Sequence, residues 1–385
     1  MKKILLLLTS MAALYQVSLA QQKVRGPVSD QYDRNGLAIM LIEYGDGYDA
    51  EIGRYFESIS KGTKFDITEL PRTTVKSNYS RGAAAGTRVA GINTEVNSVD
   101  YGKEIVAWLY SRGADGRMNP SRVLERGHFN ATDEDLARIE SSKTGREALG
   151  DIGFQLINNN YVLFVDYWAI KKTTDNNETS WSVSADGYLY RINYSAETEQ
   201  RIFDCWIYDD DSAETAEAKK RAWDALDIGV SKVLTVSTTQ SYKQSDGGLK
   251  AAVNAAYHQL IFQLEKGNDD WMVKAAIYDR KPLRAKIGTK EGLKNGMRFD
   301  VYRYSEDRQG RIVSTRKGIV RATTIANNNR VVDKESSAPA SEFYQIAGRT
   351  VSEGMILRQK NDLGMSIGLG YRAGEQSGLN VKIDY

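Results

Sequence analysis

The sequence predicts an α+β fold: a mixed sheet covered by helices, then a small all-β, barrel-like module, then a terminal amphipathic β-hairpin. Three observations predict it. Between residues 36 and 280, short apolar runs of strand length are interleaved with segments whose apolar residues recur at helical spacing. Past Pro282 the helical periodicity stops, and only short strand-like segments with turns between them follow. From Leu363 onward, apolar side chains fall on every second position around a polar turn.

The first twenty residues are set apart from this fold. Lys2 and Lys3 form a positive start, "ILLLLTSMAALYQV" is a short apolar run, and Ser18 and Ala20 offer small residues before Gln21. This is the pattern of a Sec-type signal peptide, 1–20. The run is too short for a membrane helix. Without a Cys after it, a lipoprotein anchor is not expected. The mature chain is expected to begin near Gln21, outside the cytoplasm, in the periplasm and associated with the outer membrane.

The bulk numbers are those of a globular protein: 41% hydrophobic, 26% charged, formal net charge +2. That balance leaves no nucleic-acid footprint. Twenty-two tyrosines against five prolines suit strands with one wet face. The single cysteine, Cys205, has no internal disulfide partner. Its setting, "RIFDCWIYD", alternates like a strand, and it reads as a small buried core residue, with a reactive thiol or an intermolecular bridge as the alternative.

Taken in order, "GLAIMLIEY" (36–44) reads as a buried strand. Residues 45–62 read as a turn and a helix, with Ile52, Tyr55, Phe56 and Ile59 on one face and Asp46 or Asp49 as cap. "KFDITEL" reads as a strand, and residues 72–98 as a loop rich in Gly, Ala, Ser and Thr. Residues 101–112 form a short helix. A helix start at Thr132 is crowded by Asp133, Glu134 and Asp135, which favour its positive end. Leu149, Ile152, Leu156 and Ile157 mark a second helical piece. "YVLFVDYWAI" (161–170), "WSVSADGYLYRINY" and "RIFDCWIYD" suggest an antiparallel meander, with Asp186 and Gly187 as a turn or bulge. Residues 209–228 return to helix, "VSKVLTVST" to strand, and 247–267 to a long helix striped by Val253, Ala256, Tyr257, Leu260, Ile261 and Leu264. "WMVKAAIYD" closes this part.

The expected domains are thus 21–282, with a break near 113–131; 283–360, the all-β module; and 361–385, the hairpin. In the hairpin, Met365, Ile367, Leu369 and Tyr371 alternate on one strand and Leu379, Val381, Ile383 and Tyr385 on the other. These eight residues are the candidate contacts to a membrane or a partner. A membrane strand takes about nine to eleven residues and a barrel at least about eight strands. Two strands alone leave backbone groups unpaired in lipid. Three arrangements satisfy this: a larger barrel that begins here, a barrel shared between copies, or a hairpin packed on the β-module.

Two stretches carry resemblances. "ALGDIGFQLINNNYVLFVDYWAI" resembles the helix-then-strand core of periplasmic helper proteins of the curli-secretion lipoprotein type. The insertion at 171–200 and the missing lipobox Cys depart from that pattern. "AKIGTKEGLKNGMRFDVYR", with "GIVRATTIA" and "GRTVSEGMILRQ", resembles the C-terminal β-module of periplasmic flagellar-assembly proteins. Gly292, Leu293, Gly296 and Gly354 match, and Met355 replaces an acidic residue. Both resemblances imply non-enzymatic envelope proteins that bind partners, and the first a family whose subunits share a barrel.

Chemistry-bearing patterns are sparse. Of two histidines, His128 lies near a helix start and His258 beside the apolar stripe of the long helix; neither sits in HExxH or beside a Cys. There is no GxSxG elbow and no P-loop. "GAAAGT" (82–87) lacks GxGxxG order. Asp209, Asp210 and Asp211 carry oxygen ligands suited to calcium, but their place before a helix reads as capping, with Asp211 or Ser212 as N-cap. Arg280, Lys281, Arg284, Lys286, Lys290 and Lys294 form a basic cluster that reads as a solvated face, with anionic lipid or polyanion as the functional reading. No catalytic residue, cofactor or metal is expected. The expected function is a non-enzymatic envelope protein that binds envelope proteins, contacts the outer membrane and can oligomerise. The alternative is an exported hydrolase of a glycan or envelope polymer, working through paired carboxylates.

Overall fold

A computed structural model describes residues 34–62, 64–119, 122–123, 126, 156–208, 211–306, 312–328, 340–360, 366–372 and 378–384. The signal-peptide segment, His128, the helix start at Thr132, and Met365 and Tyr385 lie outside the described residues. The fold is α+β, with two sheets and a separate hairpin.

The first sheet is mixed. Strand β1 (Gly36–Glu43) is an unbroken apolar run because both of its faces are covered. Helix α1 (Asp49–Glu57) leads to two short strands, β2 (Asp66–Ile67) and β3 (Thr74–Lys76), both parallel to β1 along one edge. Helices α2 (Ala85–Ser98) and α3 (Tyr101–Leu109) follow. Strand β4 (Asn160–Asp175) is parallel to β1 along its other edge. It then turns into β5 (Glu178–Ile192), antiparallel. Helices α4 (Ala196–Asp204) and α5 (Ala213–Asp224) lead to β6 (Val230–Lys243), antiparallel to β5 and last in the order β2–β1–β4–β5–β6. Helix α6 (Gly248–Gly267) returns across the sheet.

Each face of the sheet has its own core. On one, Ile105, Val106 and Leu109 of α3 meet Met40, Val162, Phe164 and Tyr188. On the other, Phe56 of α1 and Val253, Ala256, Leu260 and Leu264 of α6 meet Leu37, Ile39, Leu163 and Val165. The apolar stripe expected on the long helix is therefore the buried one, except that Ile261 is only half-buried.

Several elements differ from the sequence reading. Residues 72–98 are not a loop: they hold β3 and the whole of α2. The helix contains Gly86 and Gly91 and two Thr, all poor helix formers. Packing overrides that propensity, and Gly91 is needed because a Cβ there would lie 2.3 Å from the Tyr79 ring. Residues 201–204 end α4 rather than form a strand; Ser195 caps that helix by accepting from the Thr198 N–H at 3.1 Å. The third strand of the meander is β6. Cys205 is buried as expected, but at a helix C-cap. Ser212, not Asp211, is the N-cap of α5. Tyr48 occupies the N-cap position of α1, while Asp49 braces the preceding turn by accepting from the N–H groups of Tyr44 and Gly45 at 2.9 and 2.5 Å.

The second sheet is antiparallel and curls into a half-barrel. Its strands are β7 (Lys274–Ala276), β8 (Asp279–Arg280), β9 (Leu283–Ala285), β10 (Arg298–Glu306), β11 (Ile312–Thr324), β12 (Ser341–Gly348) and β13 (Ile356–Gln359), in the order β7–β13–β10–β11–β12–β9–β8. Phe299, Val301, Val320, Phe343 and Leu357 fill its core. A boundary at 282 therefore does not match the pairing. Strands β7 and β8 precede Pro282, yet they form the two edges of this second sheet. The reason is the partner: β13 offers an open edge to Ala275, whose side chain, with those of Val273 and Ile277, enters the half-barrel core.

The terminal strands, β14 (Ser366–Arg372) and β15 (Gly378–Asp384), form a two-stranded antiparallel hairpin.

Candidate functional site

The hairpin register places Ile367 opposite Ile383, Leu369 opposite Val381 and Tyr371 opposite Leu379. Six of the eight candidate contact residues thus stand in facing pairs along one ladder. Among the described residues no helix is long and apolar enough to cross a membrane.

A second candidate emerges only in three dimensions. Strand order reverses at β1: the chain goes to β2 and β3 on one side and later to β4 on the other. In open α/β sheets such a reversal opens a crevice at the carboxyl ends of the strands, where ligands bind. Here the chain fills that crevice itself. Asp166 of β4 and Asp186 of β5 are register partners, both buried, at 0% and 4% exposure. Tyr44, just past β1, donates to Asp166 Oδ1, and Tyr79 donates to Oδ2 at 3.0 Å. Asp186 Oδ2 accepts from Arg88 Nη2 at 2.7 Å and Tyr188 Oη at 3.0 Å, and Oδ1 accepts from Trp168 Nε1 at 3.2 Å. Arg88 Nε also lies 4.0 Å from Asp166 Oδ2.

Local sequence explains each position. One extra residue in β4 between Asp166 and Ala169 makes a β-bulge. It lets Tyr167 point to one core, where its hydroxyl donates to the Val253 carbonyl, while Trp168 lies 4.0 Å from the Arg88 guanidinium on the other face. The bulge is thus in β4, opposite Ala185 and next to the Asp186–Gly187 pair the sequence singled out, which keeps regular register. "GAAAGT" forms the approach to α2, and Gly82 N–H donates to the Trp168 carbonyl at 2.6 Å. Arg81, just before it, lies over the Tyr44 ring at 4.3 Å, pairs with Asp46 and Asp49, and donates to the Tyr167 carbonyl. It closes the cluster from the solvent side.

Burial pushes the Asp166 carboxyl up to about 6, against the hydrogen bonds from Tyr44 and Tyr79 that favour its ionised form. A raised carboxyl beside a second one is the pattern of acid–base chemistry. Yet all four carboxylate oxygens already accept from protein donors, so none is presented to a substrate. A cavity of about 70 Å³ adjoins Tyr79 and Gly91, room for a few waters. The cluster is a satisfied polar network within a core.

Sequence reasoning did not find this network. Its signals were Asp166 inside the apolar run "YVLFVDYWAI" and Arg88 inside an Ala- and Gly-rich stretch. A charge there needs a partner. Among the described residues no three His, Cys, Asp or Glu side chains are placed to hold a metal. His258 is exposed on α6 beside Tyr257, and of the acidic triplet only Asp211 is described, paired with Lys219 at 2.6 Å.

The other feature that faces outward is β6. It ends the first sheet, and among the described residues no strand pairs with its outer edge. At about 3.4 Å per residue its 14 residues run to roughly 45 Å. The bulge at Val233 interrupts it only near its start. Leu234, Val236, Thr238, Gln240 and Tyr242 are half-buried; Thr235, Ser237, Thr239, Ser241 and Lys243 are exposed. On the exposed face Ser184 and Thr239 share a hydrogen bond at 2.9 Å, and Ser241 donates to Ser182 at 3.0 Å.

Comparison with known proteins yields no matching protein-family model and no matching curated protein. The functional reading therefore rests on the residues themselves.

Proposed function

We propose that this is an exported, non-enzymatic envelope protein, a periplasmic partner-binding module associated with the outer membrane, which takes its partner by strand addition along β6. The observation that carries the reading is the open edge of β6. Natural sheets keep exposed edges short, or break them with Pro, bulges or inward charges. This edge holds ten successive residues past its one bulge and no Pro. An extended partner segment gains main-chain hydrogen bonds along it and selects against the alternating half-buried and exposed side chains. The leader-like first twenty residues and the facing apolar pairs of the terminal hairpin support the envelope location.

The hydrolase reading has one observation in its favour, the raised Asp166 carboxyl beside Asp186. The occupied oxygens of both groups weigh against it.

Photo-crosslinking residues at Thr235, Ser237 and Thr239, combined with membrane fractionation and pull-down from the native envelope, tests the proposal. The expected result is a discrete crosslinked envelope protein, lost in Ser237→Pro, with the chain in the outer-membrane fraction. A chain that stays soluble and monomeric and yields no crosslink refutes it.

A further inference from the structure

The half-barrel carries a second binding feature, separate from β6. A groove of about 520 Å³ runs between the end of β12 and the β8–β9 turn, lined by Arg280, Leu283, Gln345, Ile346, Gly348 and Arg349 among others. Strand β9 stops pairing with β12 at Leu283 opposite Phe343. Beyond that point residues 344–348 pair with β11 on one side only, and among the described residues no strand covers the other side. The groove is the place of an absent strand.

Its charge is specific. Arg284 takes both nearby carboxylates, Glu342 at 2.9 Å and Asp279 at 3.8 Å. Arg280 and Arg349 are exposed, and among the described residues neither makes an ion pair. Beside these two cations the groove also offers apolar surface, from half-buried Leu283 and from Ile346, 38% exposed. The wall is also held in place. Gly348 has φ 99°, a conformation other residues rarely adopt, and a Cβ there would sit 2.4 Å from Gly318 Cα and the Lys317 carbonyl. Gln345 Nε2 donates to the carbonyls of Ala347 and Arg349 at 3.1 and 2.6 Å, fixing the turn that presents Arg349.

The geometry points to a binding site for an extended acidic peptide, laid as a short added strand against residues 344–348, with carboxylates on Arg280 and Arg349 and an apolar side chain over Leu283 and Ile346. A strand edge offers main-chain donors and acceptors that only another main chain satisfies in sequence. Guanidinium groups hold carboxylates in fork geometry. A lipid headgroup or polyphosphate would use the charges and leave the edge unused.

The test is fluorescence anisotropy on the full chain with a labelled peptide of alternating Val and Glu. Anionic vesicles and inorganic polyphosphate serve as competitors, and hydrogen exchange is followed across the half-barrel. Expected are saturable binding that weakens with salt, a loss of about tenfold in Arg280→Gln/Arg349→Gln, which is about 1.4 kcal/mol, and exchange protection centred on residues 344–348. Both substituted side chains are exposed, so the far-ultraviolet spectrum is unchanged. No peptide binding, equal binding by the double variant, or protection elsewhere in the sheet overturns the proposal. So does binding of vesicles or polyphosphate alone.

Discussion

Asp166 stands directly opposite Asp186 on neighbouring strands, and one guanidinium, that of Arg88, reaches both, at 4.0 Å from Asp166 and 2.7 Å from Asp186. Two acids placed side by side in a core, with one cation and three tyrosine hydroxyls around them, make the stability of this fold depend on protonation.

Asp166 has a folded-state carboxyl raised to about 6 by burial, above an unfolded value of about 3.9. The folded state therefore binds the extra proton between those values. The contribution of Asp166 to stability is most favourable below pH 4 and declines as pH rises to 6. Asp166→Asn removes this slope. Urea unfolding of both proteins at pH 4 and pH 7 should show the wild type losing on the order of 2 kcal/mol relative to the variant. Equal differences at the two pH values would refute the assignment.

Arg88 is the cation this pair depends on. Arg88→Met leaves the buried acids without a cationic partner and should cost about 3–5 kcal/mol at pH 7. Arg88→Lys should recover only part of that, because a single ammonium cannot serve Asp186 through two nitrogens and also stack on Trp168. Chemical denaturation of the three proteins checks the order.

Cys205 lies buried at the C-cap of α4, and burial pushes its thiol up. Since the thiolate is the reactive form, labelling by a thiol reagent at pH 8 should be slow in the native protein and fast in urea. Rapid native labelling would place the thiol outside the core.

Gly36 begins β1 against Asn160, whose side-chain amide donates to the Leu156 and Ile157 carbonyls at 2.7 and 2.9 Å. A Cβ on Gly36 would lie 1.9 Å from Asn160 Oδ1. Gly36→Ala should therefore destabilise by about 1–3 kcal/mol, read as a lower urea midpoint with unchanged m-value.

Strong periodicity was legible in the sequence. The buried run of β1, most of the stripe of α6, the β4–β5 pair and the β-rich character of the region past Pro282 were legible; the one-turn 3-10 helix Thr289–Glu291 within that region was not. Nor were weak or double-valued signals. Helix α2 is held by contacts of Arg88, Gly91 and Ile92 that no propensity scale contains. Phe203, Cys205 and Ile207 alternate like a strand, yet Ile202 faces the core and Phe203 is 41% exposed. The buried network stayed hidden because Tyr44, Tyr79, Arg88, Asp166 and Asp186 span more than 140 positions and meet only through sheet order.

The pairing of β7 with β13 has a consequence for how this chain divides. A cut at Pro282 follows the change in sequence character but carries off both edge strands of the half-barrel, β7 and β8, leaving the β13 edge at Leu357 unpaired. The seam between the two sheets runs instead between Trp271, which packs with Phe65 and Tyr161 in the first core, and Val273, which belongs to the second. A shuffled or separately produced half-barrel should keep its fold when it starts at residue 273 and lose it when it starts at 283.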